Sequence, residues 1–114
     1  MLALMLTWAL ASGAAADTPP CAVSVDVLPE HLPGLCAQPP DVRAFVERHD
    51  RCVHFAGEDP YDEARRAELA REMQAACSGA GSQFKSLLER YRDQPDQLDW
   101  LQRYGRDVGL SPEG

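Results

Sequence analysis

A chain of 114 residues, 45% hydrophobic and 25% charged, has room for one domain with one core and the composition of a globular protein rather than a disordered one. Its formal net charge of −7 repels phosphate backbones and anionic headgroups. General nucleic-acid binding and adhesion to acidic membranes are therefore excluded, and a protein partner would present a basic or apolar surface.

Residues 1–16, MLALMLTWALASGAAA, carry no charged side chain, run apolar from Leu2 to Leu10 and end in Ala14-Ala15-Ala16 before Asp17. That is the pattern of a signal peptide, too short for the roughly 20 apolar residues of a bilayer crossing. Cleavage before Asp17 is expected. The n-region lacks Lys and Arg, which leaves open a true start upstream of Met1. Lipidation is not expected, because Cys21 stands behind Pro19-Pro20 and not next to the cleavage site. In an exported chain Cys21, Cys36, Cys52 and Cys77 read as two disulfides, and no C-x2-C zinc spacing occurs. With arginine and alanine abundant, as in a GC-rich genome, the expected address is a bacterial periplasm or the medium, with no membrane attachment after cleavage.

Residues 17–39 hold Pro19, Pro20, Pro29, Pro33 and Gly34, which rules out long helix and predicts an extended arm laid over the helices. The alternation Val23, Val25, Val27 has the period of a strand but finds no partner strand. The first helix is expected over about 40–55, with Pro40 at N1 and Val42, Phe45, Val46, His49, Cys52 and Val53 on one stripe, and Gly57 as its stop. The second is expected over 60–77, with Asp59 as N-cap, Pro60 at N1 and Asp62 at N3; its apolar stripe is Leu69, Met73, Ala76 and Cys77. A third at 82–93 would begin at Ser82 and bury Phe84, Leu87, Leu88 and Tyr91. A fourth at 95–104 would bury Leu98, Leu101 and Tyr104, end at Gly105 and leave 106–114 as a flexible tail. Together these make an all-α fold over 40–105, a small disulfide-stapled four-helix bundle behind a Pro-rich arm.

Disulfide pairing follows from the assumed hairpin. If it turns tightly near Glu58, Cys77 faces Cys36 and lies about 20 Å along the axis from Cys52, beyond the roughly 7 Å that a bridge tolerates. Cys36 with Cys77 and Cys21 with Cys52 is the first expectation. Sequential pairing, Cys21 with Cys36 and Cys52 with Cys77, requires residues 52–59 to run extended along the second helix.

Candidate chemistry gathers around that turn in His49, His54, Glu58, Tyr61, Asp62 and Arg66. A metal reading of His49 and His54 suffers because five residues of helix set the rings about 140° apart, and no zinc or calcium pattern surrounds them. His49 is expected at the core edge, donating to a backbone carbonyl, and His54 near a helix C-terminus. Capping accounts for Asp59 and Asp62, and Asp62 with Arg66, Glu47 with Arg51 and Asp99 with Arg103 have the spacing of helical ion pairs. Tyr91, Trp100 and Tyr104 are expected in the core, with an interface as the other option. No cofactor motif, nucleophile elbow or P-loop is present.

The run Cys52-Val53-His54-Phe55-Ala56-Gly57-Glu58-Asp59-Pro60-Tyr61-Asp62, followed by Arg65 or Arg66 and closed by Cys77, resembles a segment of small uncharacterised exported helical proteins of Gram-negative bacteria. The resemblance implies a shared hairpin and a periplasmic address, and brings no catalytic residue. If it also implies that Cys52 and Cys77 belong together, it opposes the first pairing above. The function expected is that of a non-enzymatic protein-binding module of inhibitor or immunity type. The alternative is a small metal-dependent binder or enzyme centred on His49, His54, Glu58 and Asp62.

Overall fold

The computed structural model describes residues 21–111; the expected signal peptide, the first residues of the arm and the end of the tail lie outside them. Among the described residues there is no strand. The chain is all-helical, with α1 at Pro40–Ala56, α2 at Glu63–Cys77, α3 at Ala80–Arg90 and α4 at Pro95–Val108, and it carries two disulfides. No described helix is long and apolar enough to cross a membrane.

Pro40 opens α1 at its first turn, where a missing N–H costs nothing, and Pro95 does the same for α4. The apolar spacing of α1 buries Val42, Phe45 and Val46, and continues into His49 and Asp50. At the far end the Gly57 N–H returns to the carbonyls of Val53 and His54.

Three helices have boundaries that depart from those the sequence suggested. Helix α2 is capped by Asp62, whose carboxylate accepts from the Arg65 N–H at 2.7 Å, and Asp59 with Pro60 stays outside the helix. Starting later leaves Glu58 free to accept two hydrogen bonds from the Arg65 guanidinium, at 2.5 and 2.7 Å. Helix α3 begins two residues before Ser82, behind Gly79 at φ 73°, and ends at Arg90. Helix α4 passes through Gly105 and stops at Gly109, which takes the left-handed conformation (φ 78°) that ends many helices. Part of the expected flexible tail is therefore helix. Gly105 serves packing: a Cβ there would stand 2.3 Å from the buried Phe84 ring.

The core is built by three helices and the arm. Phe45, Val42 and Val46 of α1 meet Phe84 and Leu87 of α3 and Trp100, Leu101 and Tyr104 of α4, while Val27 and Leu35 close the cluster from the arm. Each fully buried apolar side chain of this kind contributes about 1.5–3 kcal/mol. The buried residues of α2, Leu69 and Ala76, lie outside that cluster.

The arm is tied along its length. Val27 is buried and Val25 fully exposed, a division between core and solvent made without any strand. Short 3-10 turns at Pro29–His31 and Leu35–Ala37 replace the extended course. Between them Trp100 Nε1 donates to the Pro33 carbonyl at 2.8 Å. Gly34, at φ 80°, allows that approach, since a Cβ would stand 2.8 Å from the same indole nitrogen.

The disulfides join Cys21 to Cys36 and Cys52 to Cys77, which overturns the pairing of Cys36 with Cys77 and Cys21 with Cys52. The tight hairpin is the error. The sequential pairing forms although residues 52–56 stay helical within α1 and do not run extended along the second helix. Residues 57–62 form a turn and non-helical chain, and from there α2 returns Cys77 to within 5.0 Å (Cα to Cα) of Cys52. Arg48 reinforces that end, donating to the carbonyls of Ala75 and Ser78 and to the Gln83 side chain.

Candidate functional site

Asp50 is the centre of the most developed polar arrangement. On α1 it follows Val42 and Val46 at intervals of four, so the helix that buries those valines buries it too, and none of it reaches solvent. A carboxylate there must be supplied with donors, since burying it unpaired would cost several kcal/mol. Three arrive from elsewhere: the Leu28 N–H at 2.9 Å, the Tyr104 hydroxyl at 2.7 Å and His31 Nδ1 at 2.8 Å. Because the carboxylate only accepts, Nδ1 is the nitrogen of His31 that carries the proton toward it. His31 and Tyr104 are themselves buried and meet edge to face at 4.8 Å.

Burial drives the Tyr104 phenol far above its ordinary value, and the hydrogen bond to Asp50 and the charge of that carboxylate add to this. Beside the cluster, His49 stacks on Phe45 at 5.8 Å, and its Nδ1 finds no partner. It therefore does not donate to a carbonyl through that atom, as the sequence suggested it would. Burial lowers its affinity for a proton; Asp50 opposes that shift and His31 adds to it.

The six residues gathered by sequence around the turn do not form one site. His49 lies in the core, whereas His54 is exposed and meets the Phe55 ring edge to face. Glu58 is held by Arg65, whose hydrogen bonds and charge keep its carboxyl below the usual range against some desolvation. Asp62 is spent on capping α2, and Arg66 pairs with Glu63 at 3.6 Å rather than with Asp62. Tyr61 projects into solvent, 82% exposed. Arg51 likewise leaves Glu47 for Asp26 of the arm, at 3.0 Å, while Asp99 and Arg103 pair as their spacing suggested. No group of three or more His, Cys, Asp or Glu among the described residues could hold a metal ion.

His31 and Asp50 went unnoticed in the sequence as partners, and one signal was available. Asp50 interrupts the buried stripe of α1 at the position where another valine would fit, so a partner from outside the helix was required. Which residue supplied it could not be read, because His31 lies 19 positions away in a segment without periodicity.

A second feature is the groove between α1 and α3, of about 410 Å³, floored by Phe45 and Leu87 and flanked by Arg48 and Arg90. Both cations are already engaged: Arg48 as above, and Arg90 on Asp41 at 2.5 Å. Asp41 also accepts from the Tyr91 hydroxyl at 2.6 Å. Desolvation works to raise the Asp41 pKa, but these bonds and the Val42 N–H prevail and lower it.

No protein-family model matches the chain, and no curated protein and no solved structure was found to be similar to it.

Proposed function

We propose that the chain is an exported, periplasmic or secreted protein that acts without catalysis, by binding another protein through the segment formed by residues 57–62 and α2. In this reading α2 is the fourth helix of a bundle, held by a disulfide, by Arg48 and by its buried Leu69 and Ala76, and it presents its remaining, largely exposed face. The observation that carries the proposal is Tyr61, an aromatic side chain 82% exposed among Asp59, Asp62 and Glu63. Tyrosine offers a large contact area at small entropic cost, and such residues anchor interfaces. The surrounding carboxylates favour a basic partner, whose binding weakens as salt screens the charges. The two disulfides support an oxidising compartment, as does the resemblance of the Cys52 to Asp62 run to exported proteins.

The test is site-specific photocrosslinking in the producing cell, with a benzophenone amino acid in place of Tyr61 and, as control, in place of the exposed Gln102 on α4. A discrete adduct at position 61 and none at 102, with a yield that falls when an extract of the cells is brought to high salt before irradiation, is the expected result. No adduct at 61, or the same adducts at both positions, removes the proposal.

A further inference from the structure

The groove between α1 and α3 holds hydrogen-bond donors that the chain itself does not use. The two helices run antiparallel there, with Asp41 meeting Arg90 at one end and Arg48 meeting Gln83 at the other. Arg48 makes all its hydrogen bonds to neutral acceptors, the carbonyls of Ala75 and Ser78 and the Gln83 side chain, and no carboxylate among the described residues pairs with it. One N–H of its Nη1 is left without an acceptor. Because a guanidinium only donates, it is the oxygen of Gln83 that faces it, and the Nε2 donors of that amide have no partner among the described residues. Ser82 and Ser86, four residues apart on the groove side of α3, carry hydroxyls that are equally without a partner there. Asp41, the acid of the groove, is already spent on Arg90, Tyr91 and the Val42 N–H. Two cations and one acid leave this concavity net positive on a chain whose formal charge is −7.

We propose that this groove binds an alkyl carboxylate, the chemistry of a free fatty acid. A carboxylate only accepts, so it answers the unused donors of Arg48 and Gln83, and the bond to a guanidinium is of the stronger, charge-assisted kind. Arg48 takes the head in preference to Arg90, whose charge Asp41 already meets. From Arg48 to Asp41 is two turns of α1, about 10 Å, and along that length Phe45 and Leu87 floor the groove for an alkyl stem. Its volume of about 410 Å³ lies within the roughly 300–1,000 Å³ of small-molecule sites. Other occupants fit less well. A bare phosphate or sulfate would leave the apolar floor uncovered, and an ammonium would be repelled. A peptide would bring N–H groups of its own against a wall of donors, where each one left unpaired weakens binding. The site is separate from the Tyr61 surface and stands or falls without it.

The test titrates uniformly 15N-labelled protein, with both disulfides intact, at neutral pH with sodium decanoate kept below its micelle concentration, and in parallel with decanol and with N-acetyl-leucyl-leucine. Decanoate should move the backbone amides of Arg48, Gln83 and Ser86 and the Gln83 side-chain amide, saturably and with an affinity tighter than about 1 mM. Decanol, which has the stem without the charge, should bind about tenfold more weakly, the loss of a charge-assisted contact. Ser86→Glu sets a carboxylate within the groove at an exposed helical position, where glutamate is a good helix former, so the fold is kept. That variant should weaken decanoate about tenfold and leave decanol unchanged. The site is refuted if these amides stay still with decanoate, if sodium chloride of equal ionic strength reproduces the movement, or if the movement centres away from the groove. It is equally refuted by decanol or the dipeptide binding as tightly as decanoate, or by unchanged decanoate affinity in Ser86→Glu.

Discussion

Tyr104 and Asp50, 54 positions apart, share a 2.7 Å hydrogen bond from phenol to carboxylate in a place closed to water. This bond joins α4 to α1, and the same carboxylate binds the arm through Leu28 and His31. One acid thus fastens three separate parts of the chain.

Removing the donor alone is the cleanest probe of that fastening. Tyr104→Phe keeps the ring that stacks on Trp100 at 5.7 Å and should cost about 1–3 kcal/mol in urea unfolding. Asp50→Ala leaves three donors without an acceptor and should cost more, about 3–5 kcal/mol. Equal stability of Tyr104→Phe and the parent chain would show that the bond carries no net weight.

Stability should fall on both sides of neutrality, for different residues. Burial lowers the His49 pKa in the folded chain. Below about pH 6.5 the unfolded chain therefore takes up a proton that the folded chain resists, and stability decreases as pH falls. Below about pH 4 the lowered carboxyls of Asp26, Asp41 and Glu58 add a second loss of the same sign. Tyr104 is raised, so its contribution is complete below about pH 10 and declines above it. Melting temperature measured across pH checks this: His49→Phe should flatten the limb between neutrality and about pH 5, and an unchanged limb in that variant assigns the effect elsewhere.

Reduction should release α2 before it unfolds the core. The Cys52 to Cys77 bridge spans 25 positions, which on the chain-entropy model corresponds to about 3–4 kcal/mol. Since α2 adds no residue to the central cluster, the double variant Cys52→Ser with Cys77→Ser should keep its near-ultraviolet aromatic signal. It should nevertheless become cleavable by trypsin at Arg65 or Arg66. Loss of the aromatic signal together with α2 would mean that the helix belongs to the core after all.

Gly105→Ala sets two effects against each other. Alanine gains about 1 kcal/mol of helix propensity, and forcing a methyl against the buried Phe84 ring costs about 1–3 kcal/mol. The clash should win, lowering the denaturation midpoint, and adding Phe84→Leu should recover part of the loss. A more stable Gly105→Ala would place the Phe84 ring elsewhere.

The buried faces were more legible in the sequence than the ends of the helices. Val42, Phe45 and Val46 announce the inner side of α1 by spacing alone, and Pro40 and Pro95 mark their helix starts. Asp59-Pro60 and Asp62 are both good starts for α2, and the choice rests on Glu58 reaching Arg65, a contact between residues seven apart that no local preference encodes. Gly105 and Gly109 are equally able to end α4, and only the position of Phe84 explains why the first of them does not. The disulfide pairing depended on how the non-helical residues 57–62 set α2 against α1, which residue types do not encode. At the candidate site, Asp50 was readable as an anomaly on its helix, whereas its partners came from the arm and from α4.

The arm has a consequence for the order in which the molecule can be completed. Pro33 waits for Trp100, 67 positions later, and the carboxylate that receives Leu28 and His31 is shared with Tyr104. A nascent chain growing from its amino end can lay its arm on α1 through Asp26, Leu28 and His31, but the Pro33 carbonyl and the third donor to Asp50 wait for the last helix. Any product truncated before α4 retains both pairs of cysteines but lacks the Trp100 and Tyr104 that complete the seating of the arm. Oxidation can precede folding in this chain, and the final helix decides whether the oxidised form becomes native.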